Sequence, residues 1–150
     1  MSPSSDAANE APASALAADL RMAISAVNRR LRDQAHSADL TGSQKSVIAR
    51  LERDGPATVT SLALAEGIRP QSMGATVASL EAMGLIGGHS DPADGRRTIL
   101  DLTDQCREML REGRAARQDW LLQALQARLT GAERDRMADM VVLLNRLIES

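Results

Sequence analysis

Residues 61–102 read SLALAEGIRPQSMGATVASLEAMGLIGGHSDPADGRRTILDL, and the breakers in this stretch decide the architecture. Leu62 and Ala63 face inward in a short helix predicted from Ser61 to Glu66, with Thr60 as its cap and Gly67 closing it. Pro70 then stands at a natural first helical position, where the amide hydrogen it lacks would be unbonded anyway. From there Met73, Val77 and Leu80 predict an amphipathic helix to about Met83, stopped by Gly84. Leu85-Ile86 and Thr98–Leu102 are short strand-like runs. The residues between them, Gly87 to Arg97, are rich in Gly, Asp and Pro, so the two runs form a hairpin with a long loop. Two short helices with a tight joint, followed by a hairpin, make a winged helix-turn-helix.

Working outward, Leu16, Leu20, Ile24, Val27 and Leu31 recur at spacings of three and four and predict a helix over 14–36. Thr41 and Gln44 have the spacing of a capping box, opening a helix that buries Val47, Ile48 and Leu51 and ends at Asp54-Gly55-Pro56. Ala57 to Thr60 has room for no more than an edge strand. Thr103 caps a long helix over 104–129. Thr130 and Glu133 form a second capping box for the last helix, over 131–149. In that helix Met137, Val141, Leu144 and Ile148 make one apolar stripe, and Met140, Leu143 and Leu147 make another. One small domain cannot cover both, so a partner chain is implied, most simply a second copy. The fold class is therefore mainly α with a small β-hairpin wing, plus terminal dimerisation helices.

Composition narrows function. Lys and Arg total 18 and Asp and Glu 20, a net charge of −2 over 150 residues. Bulk positive charge is absent, so any nucleic-acid contact comes from local placement of cations. Trp120 is the single aromatic residue, which excludes a base-stacking platform. Cys106 is the only cysteine; it fits a reducing cytoplasm and shares an apolar helix stripe, as a small buried residue does. Two histidines and one cysteine, widely spread, make no zinc site, and no cofactor motif occurs. No nucleophile–base pair or carboxylate dyad points to an enzyme. No apolar run has the roughly 18 residues a membrane span needs. Residues 1–13, rich in Ser, Ala, Asn and Pro, lack the basic and apolar regions of a signal peptide and read as a disordered tail.

Several motifs together resemble the multiple antibiotic resistance regulator (MarR) family of dimeric winged-helix transcription factors, over about residues 14–149. They are Leu40-Thr41 with Gln44, Leu62-Ala63, Pro70-Gln71-Ser72-Met73 and Leu80-Glu81-Ala82-Met83-Gly84-Leu85-Ile86. The most specific is Asp91-Pro92-Ala93-Asp94-Gly95-Arg96-Arg97, followed by Leu102-Thr103. The resemblance implies a single domain over 14–150 with its winged-helix core at about 40–103. It also implies a homodimeric regulator, a repressor that occludes a pseudo-palindromic operator and is released by a small-molecule effector. Ala75 stands where the family often has Arg, and Ala93 and Gly95 where its wing is often basic.

With that wing in place, the helix after Pro70 becomes a reading helix. Gln71, Ala75 and Ala78 lie opposite its buried stripe, with Ser72 and Ser79 flanking; Gln bonds adenine bidentately, Ser bonds bases or phosphates, and an Ala methyl meets a thymine methyl. Lys45, Arg69, Arg96 and Arg97 are the expected cationic contacts. Arg96 at the hairpin tip suits a narrow minor groove, and Asp94 is expected to orient it through a bidentate pair. Arg117 interrupts an apolar stripe beside Trp120, so it pairs with a carboxylate, reaches outward, or anchors an anionic effector. The rival reading is a winged-helix protein that acts through protein contacts with little DNA binding. Its support is charge: residues 40–105 hold more acidic than basic side chains.

Overall fold

A computed structural model of the chain describes residues 4–35 and 39–149, with side chains from residue 12 onward. Six helices and one hairpin follow in the order α1 (Ser4–Gln34), α2 (Gly42–Asp54), α3 (Val59–Glu66), α4 (Pro70–Ala82), β1 (Ile86–Ser90), β2 (Thr98–Leu102), α5 (Asp104–Arg128) and α6 (Gly131–Ile148). They divide into two compact units. One comprises residues 36–114; the other comprises residues 1–35 with 115–150.

The unit over 36–114 is the winged helix, and it has a dense core. Val47, Ile48 and Leu51 from α2 meet Leu62 and Ala63 from α3 and Met73, Val77 and Leu80 from α4. Leu85, Ile86, Leu100 and Leu102 close it from the wing side, and Cys106 from the start of α5 is fully buried. Met109 and Leu110 pack against this core, which is why the unit extends to Arg114 rather than ending near residue 103. Burial pushes the Cys106 thiol up, with Arg107 a smaller opposing influence. It is a small side chain buried in the apolar core, as its stripe implied.

Capping residues set most of the boundaries. Thr41 Oγ1 accepts from the Gln44 amide at 3.2 Å while Gln44 Oε1 accepts from the Thr41 amide at 2.8 Å, the reciprocal box expected there. The start of α3 differs from expectation: its cap is Thr58, not Thr60. A box needs an acceptor three residues on, and Ser61 supplies one for Thr58, whereas Ala63 supplies none for Thr60. The early start leaves a single bridge, Ala57 to Leu100, in place of an edge strand. α1 also starts early, at Ser4 rather than Ser14, overtaking most of the expected tail. The stretch is rich in Ala, the strongest helix former, and Pro12 is accommodated within the helix. Met1–Pro3 and His36 lie outside the described residues.

Two glycines aim the elements that matter for function. Gly67 (φ 66°) ends α3 and Gly84 (φ 73°) ends α4, both in the left-handed region that only glycine enters cheaply. At each, the following residue donates back across the turn, Ile68 to the Ala63 carbonyl and Leu85 to the Leu80 carbonyl, both at 3.0 Å. The first fixes the α3–α4 joint; the second launches the wing. β1 and β2 pair antiparallel from Ile86↔Leu102 to Ser90↔Thr98. Thr103 Oγ1 accepts from the Cys106 amide and donates to the Gly84 carbonyl at 2.6 Å, tying α5 to the end of α4.

α2 and α3 are locked by one carboxylate. Glu66 accepts from Arg50 Nε at 2.6 Å and from Ser46 Oγ at 2.7 Å. The Arg50 guanidinium, then the Ser46 hydroxyl, hold the Glu66 carboxyl below the usual carboxylate range. A depressed folded value contributes stability above the ordinary Glu range, and that contribution is lost as pH falls through the folded value. Glu66→Gln is therefore expected to cost about 1–2 kcal/mol at pH 7, the worth of charge-assisted bonds on a partly solvated group. It should also flatten the loss of stability below pH 5. Urea melts of both proteins from pH 7 to pH 3 check this; parallel curves would show that Glu66 is not part of the acid response.

The second unit is built differently. Among its described residues only Ala35 is buried. α6 has no buried residue, and Val141, Val142, Leu143, Leu147 and Ile148 are all more than half or about half exposed. Leu16, Met22, Ile24 and Val27 of α1 and Leu122 of α5 are exposed as well. Of the two apolar stripes read from the sequence of α6, all members but the half-buried Leu144 are exposed in a single chain.

Candidate nucleic-acid interface

α4 presents one buried face and one bare face. Met73, Val77 and Leu80 point into the core, while Gln71, Ser72, Ala75 and Ala78 are exposed. Nothing large projects from the bare face, so an edge of another molecule can approach the helix closely. Arg69 occupies the position before the first turn and makes no side-chain cap; its guanidinium is exposed. The first-turn amides and Arg69 together suit a phosphate.

The wing loop is shaped by two aspartates. Asp91 Oδ1 accepts from the Ala93 amide at 2.9 Å, and Asp94 Oδ1 accepts from the Arg96 amide at 3.1 Å. Backbone bonds from Asp91 to Arg97 (2.9 Å) and from Arg97 to Asp94 (3.0 Å) close the loop. Asp94 therefore acts on the backbone of Arg96 rather than on its guanidinium, correcting the expected bidentate pair. An aspartate two residues ahead bonds an amide more readily than it can bend back to its neighbour's side-chain tip. The Arg96 guanidinium is left without a carboxylate partner among the described residues.

The cations of this unit fall into two sets. Arg50 pairs with Glu66 and Asp54, Arg53 with Asp54, Arg107 with Asp101, Arg111 with Glu108 and Arg114 with Glu52. Among the described residues, Lys45, Arg69, Arg96 and Arg97 have no carboxylate within salt-bridge distance, and all four are exposed. Arg69 stands at the start of α4, Lys45 lies near the start of α2, and Arg96 and Arg97 lie on the wing loop. The first set joins five arginines to five carboxylates, Glu52, Asp54, Glu66, Asp101 and Glu108, and so carries no net charge.

Ser79 does not join the bare face. It is half-buried, accepts from Gln44 Nε2 at 2.9 Å and donates to the Thr76 carbonyl at 2.7 Å. Sequence reading marked Gln44 only as a capping residue. Its second partner lies 35 positions away, beyond any local signal.

Arg117 and Trp120 are both half-buried, one turn apart on α5. Arg117 Nε is buried with no hydrogen-bond partner among the described residues, and of the three readings given above the carboxylate pair is not found among them. A shallow cleft lies elsewhere, lined by Leu129, Glu133, Arg136, Met137 and Met140, and it holds none of the candidate site residues. Among the described residues no group of His, Cys, Asp or Glu is placed to hold a metal ion. No described helix is long and apolar enough to cross a membrane.

Comparison with known proteins agrees with this geometry. The MarR family pattern matches residues 38–97. The HTH-type transcriptional regulator MT0903.1 of Mycobacterium tuberculosis is 34% identical over 134 residues, covering 89% of this chain and 93% of the relative. A crystal structure from Pseudomonas aeruginosa, described as a transcriptional regulator, is 37% identical with a TM-score of 0.75 over 90% of this chain and 94% of its own. A mutant of Staphylococcus aureus MepR bound to an oligodeoxyribonucleotide shares the fold at 22% identity, with a TM-score of 0.67 over 88% and 97% of the two chains. A winged helix in which α4 has one exposed face, and two relatives of near-complete mutual coverage above 30% identity, lead to one conclusion: the chain belongs to the MarR family of winged helix-turn-helix transcriptional regulators.

Proposed function

We propose that two copies of this chain form a homodimer that binds a pseudo-palindromic DNA operator and represses by occlusion in the cytoplasm. In each subunit α4 enters a major groove, with Gln71, Ser72 and Ala75 at base edges. Arg96 enters the flanking minor groove. Lys45, Arg69 and Arg97 bond phosphates, and Asp94 shapes the wing. The observation that carries this reading is the sorting of cations: the only unpaired ones in the described winged helix lie near the starts of α2 and α4 and on the wing loop. The oligodeoxyribonucleotide on MepR, a protein of the same fold, supports it. Dimerisation rests on the uncovered apolar faces of α1 and α6. The unpartnered Nε of Arg117 beside Trp120 suits an anionic effector with a flat apolar part.

Selection of bound sequences from random duplexes tests the proposal. The expected product is an inverted repeat with half-site centres about 10 bp apart. Gln71→Ala should then relax selectivity at one position in each half-site, at about 1–3 kcal/mol per lost bidentate contact. A protein that enriches no sequence, yet is captured by a protein partner, would instead be a winged-helix interaction module.

A further inference from the structure

Apolar packing seats α4 but gives it little directional restraint. Met73, Val77 and Leu80 hold its buried face to the core by burial, which is non-directional. A helix that reads base edges must hold its side chains to within about half an ångström. Some directional contact has to set its rotation.

Gln44 supplies one. It is the only polar residue among the described buried side chains, at 9% exposure. Its amide is used on every side: Oε1 accepts from the Thr41 amide, one N–H donates to Ser79 Oγ at 2.9 Å, and Nε2 lies 3.9 Å from Met83 Sδ. Ser79 is equally committed, since its own proton goes to the Thr76 carbonyl. One residue thus caps α2 and grips the last turns of α4. With its one proton given to the Thr76 carbonyl, Ser79 has none left to donate to a duplex.

We propose that Gln44 and Ser79 are positioning residues for sequence reading, whose hydrogen bond sets the rotation of α4 and so the aim of Gln71, Ser72 and Ala75. Neither touches DNA. This rests on the DNA reading proposed above and takes Ser79 out of the direct contacts expected from its place on the helix wheel.

Ser79→Ala removes the acceptor while keeping a good helix former. The expected variant is a folded dimer whose affinity for non-specific duplex stays within twofold, because those contacts come from the cations. Its affinity for the duplex selected by the parent falls about tenfold. Its base preferences weaken together across each half-site rather than at one position. Ser79→Thr, which keeps the hydroxyl, returns affinity to within threefold of the parent. Amide exchange at Leu80 to Met83 quickens about tenfold in Ser79→Ala and not in Ser79→Thr, with α3 unchanged.

Loss of preference at one base position alone would overturn the proposal in favour of a direct contact. Equal weakening on selected and non-specific duplexes, or unchanged exchange at the end of α4, would overturn it as well. The exchange measurement needs no DNA and judges the link by itself. A parent that discriminates among no duplexes would instead sink the DNA reading.

Discussion

Arg96→Ala is expected to bind the selected duplex at least about thirtyfold more weakly than the parent, with its melting temperature and dimer affinity unchanged. The wing loop holds itself by backbone bonds and by Asp91 and Asp94, and none of these uses the Arg96 guanidinium. Removing that side chain therefore costs the fold nothing beyond a surface substitution. In a symmetric dimer two guanidinium groups are lost, at roughly 1–3 kcal/mol for each well-placed base or groove contact. The loss should be greatest on sites with A·T-rich flanks, whose narrow minor grooves attract arginine. Fluorescence anisotropy on A·T- and G·C-flanked versions of the selected site measures it. An Arg96→Ala protein that binds both as tightly as the parent would reduce the wing to a solvated loop.

Leu143→Asp with Leu147→Asp is expected to break the dimer while leaving each winged helix folded. Both leucines are exposed in the single chain, at 55% and 71%, so the substitutions cost the subunit little by themselves. In a dimer that covers them, each would bury an uncompensated carboxylate and forfeit about 1.5–3 kcal/mol of apolar burial. Across two subunits, dimer affinity should fall at least about a thousandfold. Sedimentation equilibrium reads the mass, and the core of residues 36–114 should still give a cooperative melt. A double variant that remains a dimer of parental affinity would place the interface away from α6.

Much of the winged helix was legible because its signals are local. Pro70 and Gly84 bracket α4, the Thr41–Gln44 box opens α2, and the expected inward positions Val47, Ile48, Leu51, Leu62, Ala63, Met73, Val77 and Leu80 are all buried. The start of α3 was misplaced because two threonines precede it and only the downstream partner, Ser61, selects Thr58. The start of α1 was misplaced because the apolar spacing that marks a helix fades before Ser14, whereas alanine carries the backbone on without it. In the candidate site, exposure could be read from a helix wheel, but occupancy could not. Ser79 sits at the wheel's flank and is taken by Gln44, and Asp94 is taken by an amide instead of a guanidinium. The pairing that leaves Lys45, Arg69, Arg96 and Arg97 free depends on contacts such as Arg50 with Glu66 and Arg114 with Glu52, which only the folded chain brings together. A count of charges along residues 40–105 does not show that sorting.

In the proposed function a net-acidic chain reads DNA sequence through a few unpaired cations and one bare helix. Its most direct test is an equilibrium titration of the purified dimer on the selected duplex and on a scrambled one of equal length, repeated from low to moderate salt. The expected result is a preference of at least about a thousandfold for the selected duplex. Log affinity should fall with log salt at a slope of about −7 or somewhat shallower, since the four cations of each subunit give at most eight phosphate contacts per dimer. Equal affinity for the two duplexes, or no binding at low salt, would contradict the claim.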